Sequence, residues 1–321
     1  MSAKLASNSS PLSLLTVLKP GGSSCFSADS KPPKSIDDMI QLMKTRELVV
    51  TDENNLKSML YNCNYYRLSG YFRVFQVDPS SGNNQFKPGS KDVDFLVPYK
   101  MDEELRTIIL KGTAQVELTL RSRFAYHVAN SGGAYTYLNS DSYIKKSNIS
   151  INNLLSNMNK WLEKSNEVCI KHYKSKKQPV PIWAAVEAFP FDTISRMISL
   201  YKDTNVLRKL FDSMGLKTEI RKSSESIHSI VYLRNLCSHH CRLWYKETVI
   251  STPSIRDVKN SSLLNGYTDK SIAAALVNLM YLVSKIENNH NYETEIKEFL
   301  NKMKNIKMEY LTIYIGDNLN L

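Results

Sequence analysis

Apolar residues recur at helical spacing over most of this chain, and strand-like alternation is scarce. Ser35 followed by Asp38 marks a helix start, with Ile36, Met39, Ile40 and Met43 on one face. A second helix begins near Thr51–Asp52 and carries Leu56, Met59 and Leu60. Asn64–Phe72 reads as an aromatic-rich turn, and residues 78–91, with Asp78-Pro79, Gly82 and Pro88-Gly89, as a loop. A strong helix spans about Met101–Ala129, weakened at Gly112 and ended by Gly132-Gly133. Residues 140–160 are rich in Asn and Ser, with helix expected only toward Leu154–Leu162. The basic run Lys171–Lys177 leads into Pro179-Val180-Pro181 as an exposed connector. Helix returns at Ile182–Phe189, Ile194–Tyr201, Val206–Met214, Glu219–Tyr245, Ser271–Asn288 and Tyr292–Met308. The expected fold is mainly α.

The first 35 residues differ. Ser, Pro and Gly crowd them, and the first acid is Asp29. The apolar stretch Leu12–Leu18 lacks the basic cluster and small-residue cleavage site of a signal peptide, so residues 1–35 read as a flexible tail. Beyond it we expect an N-terminal helical subdomain at 36–95, a core at 96–250, and a C-terminal linker with helices at 251–321.

Composition narrows the function. Hydrophobic residues at 42% and charged residues at 23% belong to a folded protein, and no apolar run is long enough to span a bilayer. Five thinly spread cysteines argue against a disulfide framework and for a reducing, cytoplasmic setting. Forty-two Lys and Arg against 31 Asp and Glu leave a net charge of +11, which favours a polyanionic partner.

Candidate chemistry concentrates in Tyr232–Trp244, where Arg234, Asn235, His239, His240 and Arg242 interrupt an apolar helix. Such groups beside Ile230, Val231 and Leu233 are costly unless paired or used. A spectator polar face is the plainer reading of any single histidine. Asn235 and His239 share a helical face, whereas Arg234 and His239, five residues apart, diverge by roughly 140°. The string Cys237, His239, His240, Cys241 contains zinc-ligand types, but four ligands on one helical turn point apart, so no metal site and no cofactor is expected. Cys237 is a weak nucleophile candidate, because helical spacing does not pair it with an imidazole.

The segment R-N-L-C-S-H-H resembles the motif of the HEPN superfamily, an Arg and a His separated by four residues. Its surroundings resemble the Abi-like proteins of the abortive-infection type. Asn64–Tyr71 (N-Y-Y-R-L-S-G-Y), Val116–Tyr126 (V-E-L-T-L-R-S-R-F-A-Y) and Pro181–Phe189 (P-I-W-A-A-V-E-A-F) carry the likeness, which spans about residues 36–246. Where that family tends to have a glycine after the third block, Pro190 stands here. The resemblance implies an α-helical, dimeric, metal-independent endoribonuclease of phage defence. In it His239 would be the acid/base, Arg234 the phosphate clamp and Asn235 a positioning group, with His240, Glu187 and Arg242 in support. Histidine titrates near neutrality and suits proton transfer; arginine stays charged and matches phosphate oxygens.

Other residues carry two readings each. Glu117 and Arg121 are four apart, as in a surface ion pair, or else Arg121 and Arg123 line an RNA groove. Glu187, on an apolar helix, is expected to be buried and to need an arginine partner. Tyr65, Tyr66 and Tyr71 pack in a core or stack on bases. Lys171, Lys174, Lys176 and Lys177 form a solvated loop or touch phosphate. The expected partners are RNA and a second copy of the chain, with no membrane; an associated RNA or antitoxin is not encoded in these motifs. The rivals to a ribonuclease are a catalytically silent RNA-binding or scaffold protein and a module that senses a phage protein.

Overall fold

The computed structural model describes residues 32–145, 150–260 and 267–306, and the tail expected at 1–35 lies almost wholly outside them. Among the described residues there are thirteen α-helices and one two-stranded hairpin. The first helix, α1 (Ile36–Thr45), starts at Ser35 as the sequence predicts. The Ser35 hydroxyl accepts from the Asp38 N–H, and the Asp38 carboxylate accepts from the Ser35 N–H. α2 (Glu53–Cys63) follows, capped by Asp52.

Asn64–Phe72 is not a turn. It forms the helix α3 (Tyr65–Phe72), entered through Asn64 at φ 67°, with Leu68, Tyr71 and Phe72 buried. The loop expected at 78–91 begins within an antiparallel hairpin, β1 (Gln76–Asp78) and β2 (Asn83–Phe86), which is too short to show alternation.

The chain then enters α4 (Val93–Gly132), a helix of 40 residues that starts eight residues earlier than periodicity suggests. Pro98 is the reason for the discrepancy. It lies in the second turn, where a proline argues against helix, but neighbouring elements cover this end of α4 and bury Pro98. Gly112 is no weak spot either. A Cβ there would overlap the ring of Tyr292, whose hydroxyl donates to the Ile108 carbonyl at 3.0 Å. The glycine permits the close approach of a later helix.

α5 (Ile151–Lys164) is longer than expected, and α6 (Val168–Ser175) turns much of the supposed basic connector into helix. Its apolar anchor is Ile170, fully buried among polar neighbours. α7 (Ile182–Ala185), α8 (Phe191–Leu200), α9 (Thr204–Ser213) and α10 (Ile220–Ser238) follow. Pro190, standing where a glycine is usual, is the N-cap residue of α8. α11 (Arg256–Asn260), α12 (Ile272–Glu287) and α13 (Asn291–Ile306) complete the fold.

The centre of the molecule is α4 packed with α10 and α12. Every residue from Ile272 to Val283 is buried, so α12 is apolar on all sides because it is surrounded on all sides. Its one polar member there, Asn278, accepts from Ser226 Oγ at 2.7 Å and donates to Ser229 Oγ at 3.0 Å, fixing α12 against α10. One hydrophobic cluster runs from Ile40 to Met303. Among the described residues no helix is long and apolar enough to cross a membrane.

Candidate active site

The motif helix ends where its chemistry begins. α10 stops at Ser238, seven residues short of the expected Tyr245. The His240 N–H donates to the Cys237 carbonyl at 3.0 Å, and the Cys241 N–H reaches back to the Leu236 carbonyl at 2.8 Å. This is a Schellman closure, and it needs a left-handed residue, normally glycine. Here His240 takes that place at φ 52°. A histidine held in this conformation costs more than the glycine that usually occupies it. His239 is the cap residue, its N–H donating to the Asn235 carbonyl at 3.0 Å. Both imidazoles are exposed and make no hydrogen bond to another described residue; Asn235 is half-buried.

Arg234 points the other way. Its guanidinium carbon lies 5.6 Å from the centre of the Phe191 ring, and Nη2 lies 3.5 Å from Glu117 Oε2. Its Nε is buried without a partner among the described residues, and the ion pair with Glu117 is not a hydrogen bond. The arginine is therefore positioned, yet its donors are unspent. Arg121 contrasts with it. Arg121 hydrogen-bonds Glu117 Oε1 and donates to the carbonyls of Val186 at 2.8 Å and Glu187 at 3.4 Å. Glu117 thus bridges two arginines, one committed to structure and one available.

The acid that meets Arg234 is Glu117, which is half-buried. Glu187 is exposed, and among described residues its carboxylate has no partner; its carbonyl is what Arg121 reaches. The expected burial of Glu187 fails because Trp183 and Glu187, four residues apart, share the outward side of this segment, while Ala184, Ala185 and Val186 face the core. Arg123 donates to the Ser213 carbonyl and so ties α4 to the end of α9. Arg242 is half-buried, with its stem over Gly70. Lys171, Lys174, Lys176 and Lys177 are exposed on α6 and the turn after it. Lys174 Nζ donates to the Glu163 carbonyl at 2.8 Å.

Asp102 and Arg106, unmarked in the sequence, hold the turn together with Arg67 and Tyr71 of the Asn64–Tyr71 block. Asp102, fully buried on α4, accepts from the Tyr71 hydroxyl at 2.6 Å and from the N–H groups of Leu243 at 2.7 Å and Trp244 at 3.0 Å. Arg106 lies 3.4 Å from the same carboxylate and donates to the Cys241 carbonyl at 3.3 Å. Arg67 donates to the His240 carbonyl at 2.6 Å, and the Tyr71 and Trp244 rings stack 5.8 Å apart. A signal was present. Asp102 sits seven residues before the buried Ile109, on the face α4 turns inward. Burial and the nearby Asp102 carboxylate push the Tyr71 hydroxyl well above the usual tyrosine range.

Cys237 is fully buried, and burial pushes its thiol up to about 12. It stays protonated and inert at neutral pH. Among the described residues no three His, Cys, Asp or Glu side chains gather as metal ligands would.

The four sequence blocks thus gather along one stretch of chain: Glu117 and Arg121, with Val186, beside Arg234, and Arg67 and Tyr71 at the turn that follows α10. The family model of Abi-like proteins matches residues 58–245, which take in all four blocks and more than half of the chain. The chain belongs to the Abi-like protein family. The match leaves α1, α11, α12 and α13 outside, although α12 fills the centre of this Abi-like fold. No curated protein and no solved structure matches the chain.

Proposed function

We propose that this Abi-like protein is a cytoplasmic endoribonuclease of phage defence, of the HEPN type, that cleaves RNA without a metal ion. The observation that carries the reading is Arg234, fixed by Glu117 and Phe191 with donors unspent, on the helix end that also presents two exposed imidazoles. RNA can be cut by its own 2′-hydroxyl when one group takes the hydroxyl proton, another protonates the leaving 5′-oxygen, and positive charge meets the phosphorane. His239 serves the proton transfers, supported by His240, and Arg234 holds the phosphate oxygens. Asn235 positions the substrate. The products are a 2′,3′-cyclic phosphate and a 5′-hydroxyl. The net charge of +11 and the exposed lysines of α6 supply attraction to the RNA backbone.

The test is incubation of the purified protein with total RNA in EDTA, followed by end-group analysis. Cyclic phosphate ends, lost in Arg234→Ala and His239→Ala by roughly 100-fold or more, are expected. Cleavage abolished by EDTA and restored by a divalent ion would refute the mechanism. A second reading, RNA binding without cleavage, draws support from the neutralisation of Arg234 by Glu117. It predicts binding by the wild type with intact RNA throughout.

A further inference from the structure

Between α5 and α8 runs a groove of about 380 Å³, within the range of small-ligand pockets. Asn153, Asn157 and Trp161, four residues apart in turn on α5, line one wall, and Pro190, Asp192 and Arg196 line the other. Asn153, Asn157 and Arg196 are exposed, and Trp161 is 39% exposed, a large aromatic surface left open to a visitor. Neither asparagine side chain is hydrogen-bonded to a described residue. Arg196 Nε donates to Asp192 Oδ2 at 2.9 Å. That pairing leaves the second carboxylate oxygen and the terminal guanidinium nitrogens to a ligand.

The position of the groove connects it to the chemistry. Pro190 and Asp192 flank Phe191, whose ring lies beneath Arg234. At the other side, Lys174 pins the basic helix α6 to the Glu163 carbonyl, two residues beyond Trp161. A strand with its phosphate at Arg234 and its backbone drawn to α6 would pass along this groove. Single-stranded RNA is read by stacking its splayed bases on aromatic rings and hydrogen-bonding their edges.

The geometry points to a nucleobase pocket for the strand beside the scissile phosphate, taking a guanine. The inference rests on the ribonuclease reading for the identity of the ligand. Trp161 is the stacking platform. Guanine displays adjacent acceptors, O6 and N7, which suit the Arg196 fork, and ring and exocyclic N–H donors, which suit Asp192. The amides of Asn153 and Asn157, each with donors and an acceptor, serve the sugar and the remaining edge.

The experiment uses the full-length His239→Ala protein and four single-stranded RNA pentamers, each with G, A, C or U at the centre of a uridine background. Affinity is measured by fluorescence anisotropy, and fragment ends from the wild type are mapped in parallel. We expect the G pentamer to bind tightest, Trp161→Ala to weaken it roughly tenfold, and Arg196→Ala to remove the preference for G over A. Both residues are exposed, and unchanged thermal unfolding of the variants shows that the fold survives. Equal affinity for all four pentamers, absence of binding, or a preference unmoved by either substitution would overturn the pocket, even if the wild type cleaves RNA. G-selective binding lost on substitution, with no cleavage by the wild type, would support the pocket and refute the ribonuclease.

Discussion

Asp102 shows how one side chain decides the position of a motif it does not belong to. Its two oxygens take a hydroxyl, two backbone N–H groups and an arginine, with the carboxylate fully buried. Asp102→Ala leaves Arg106 buried without its acid and strips partners from Leu243 and Trp244. It should cost about 3–5 kcal/mol in denaturant unfolding, with a smaller loss for Asp102→Asn. An unchanged midpoint for the alanine variant would mean that the latch holds nothing. Buried protons make a second prediction at this scale. The Cys237 thiol is pushed up to about 12, and burial also raises Tyr71, Tyr137 and Tyr143. These are acids whose folded pKa lies above the unfolded one, so the folded state holds more protons above about pH 9. Their contribution is complete below that pH and falls as pH rises. Stability should therefore decline steadily on the alkaline side, and tyrosinate absorbance should show a class of tyrosines that titrate only on unfolding. Full tyrosine titration in the folded protein near pH 10 would contradict this.

At the level of the element, the end of α10 matters more than its length. A helix through Tyr245 would have spread His239, His240 and Arg242 around a cylinder; the Schellman turn sets the two imidazoles on a bend instead. The turn is strained by His240 at φ 52°, which costs roughly 1 kcal/mol relative to glycine. His240→Gly should raise stability by about that amount. It should lower RNA cleavage as well if His240 supports the proton transfers. A variant both more stable and fully active would remove His240 from the site. A variant of lower stability would mean that the ring, not the backbone angle, sustains the turn.

For the whole molecule, the division of labour runs through α12. This helix lies beyond the family match, yet it supplies twelve consecutive buried residues against α4 and α10. A chain ending at residue 250 should therefore fail to fold cooperatively, seen as a loss of the thermal transition. A sharp transition would show that the matched region stands alone. Assembly is the other prediction at this scale. Ile227, Ile230 and Cys237 are fully buried on the side of α10 that carries Arg234 toward Glu117, while His239 faces out. If a second copy docks across a two-fold axis with its α10 end facing this one, Arg234 of one chain and His239 of the other share a cleft. Mixing Arg234→Ala with His239→Ala chains should then restore part of the cleavage that each homodimer lacks. Dimers that form without recovery would show that each motif works alone.

Helical periodicity and cap residues determined the class of fold and the starts of α1 and α2, and four short blocks of residues carried the family, because each is a local property of the chain. The Arg234–His239 motif was legible for the same reason. What the blocks do for one another was not. Glu117 shows only its four-residue spacing to Arg121 in the sequence, and its hold on Arg234 requires α4 and α10 to be packed together. Glu187 looked buried because its neighbours are apolar, and only the packing of Ala184, Ala185 and Val186 against the core turned it outward. Gly112 looked like a flaw until Tyr292, 180 residues later, came to rest on it. Residues close in sequence reveal helix and face. Which charges meet, and where a helix stops, is set by contacts between distant segments, and these exist only once the core has closed.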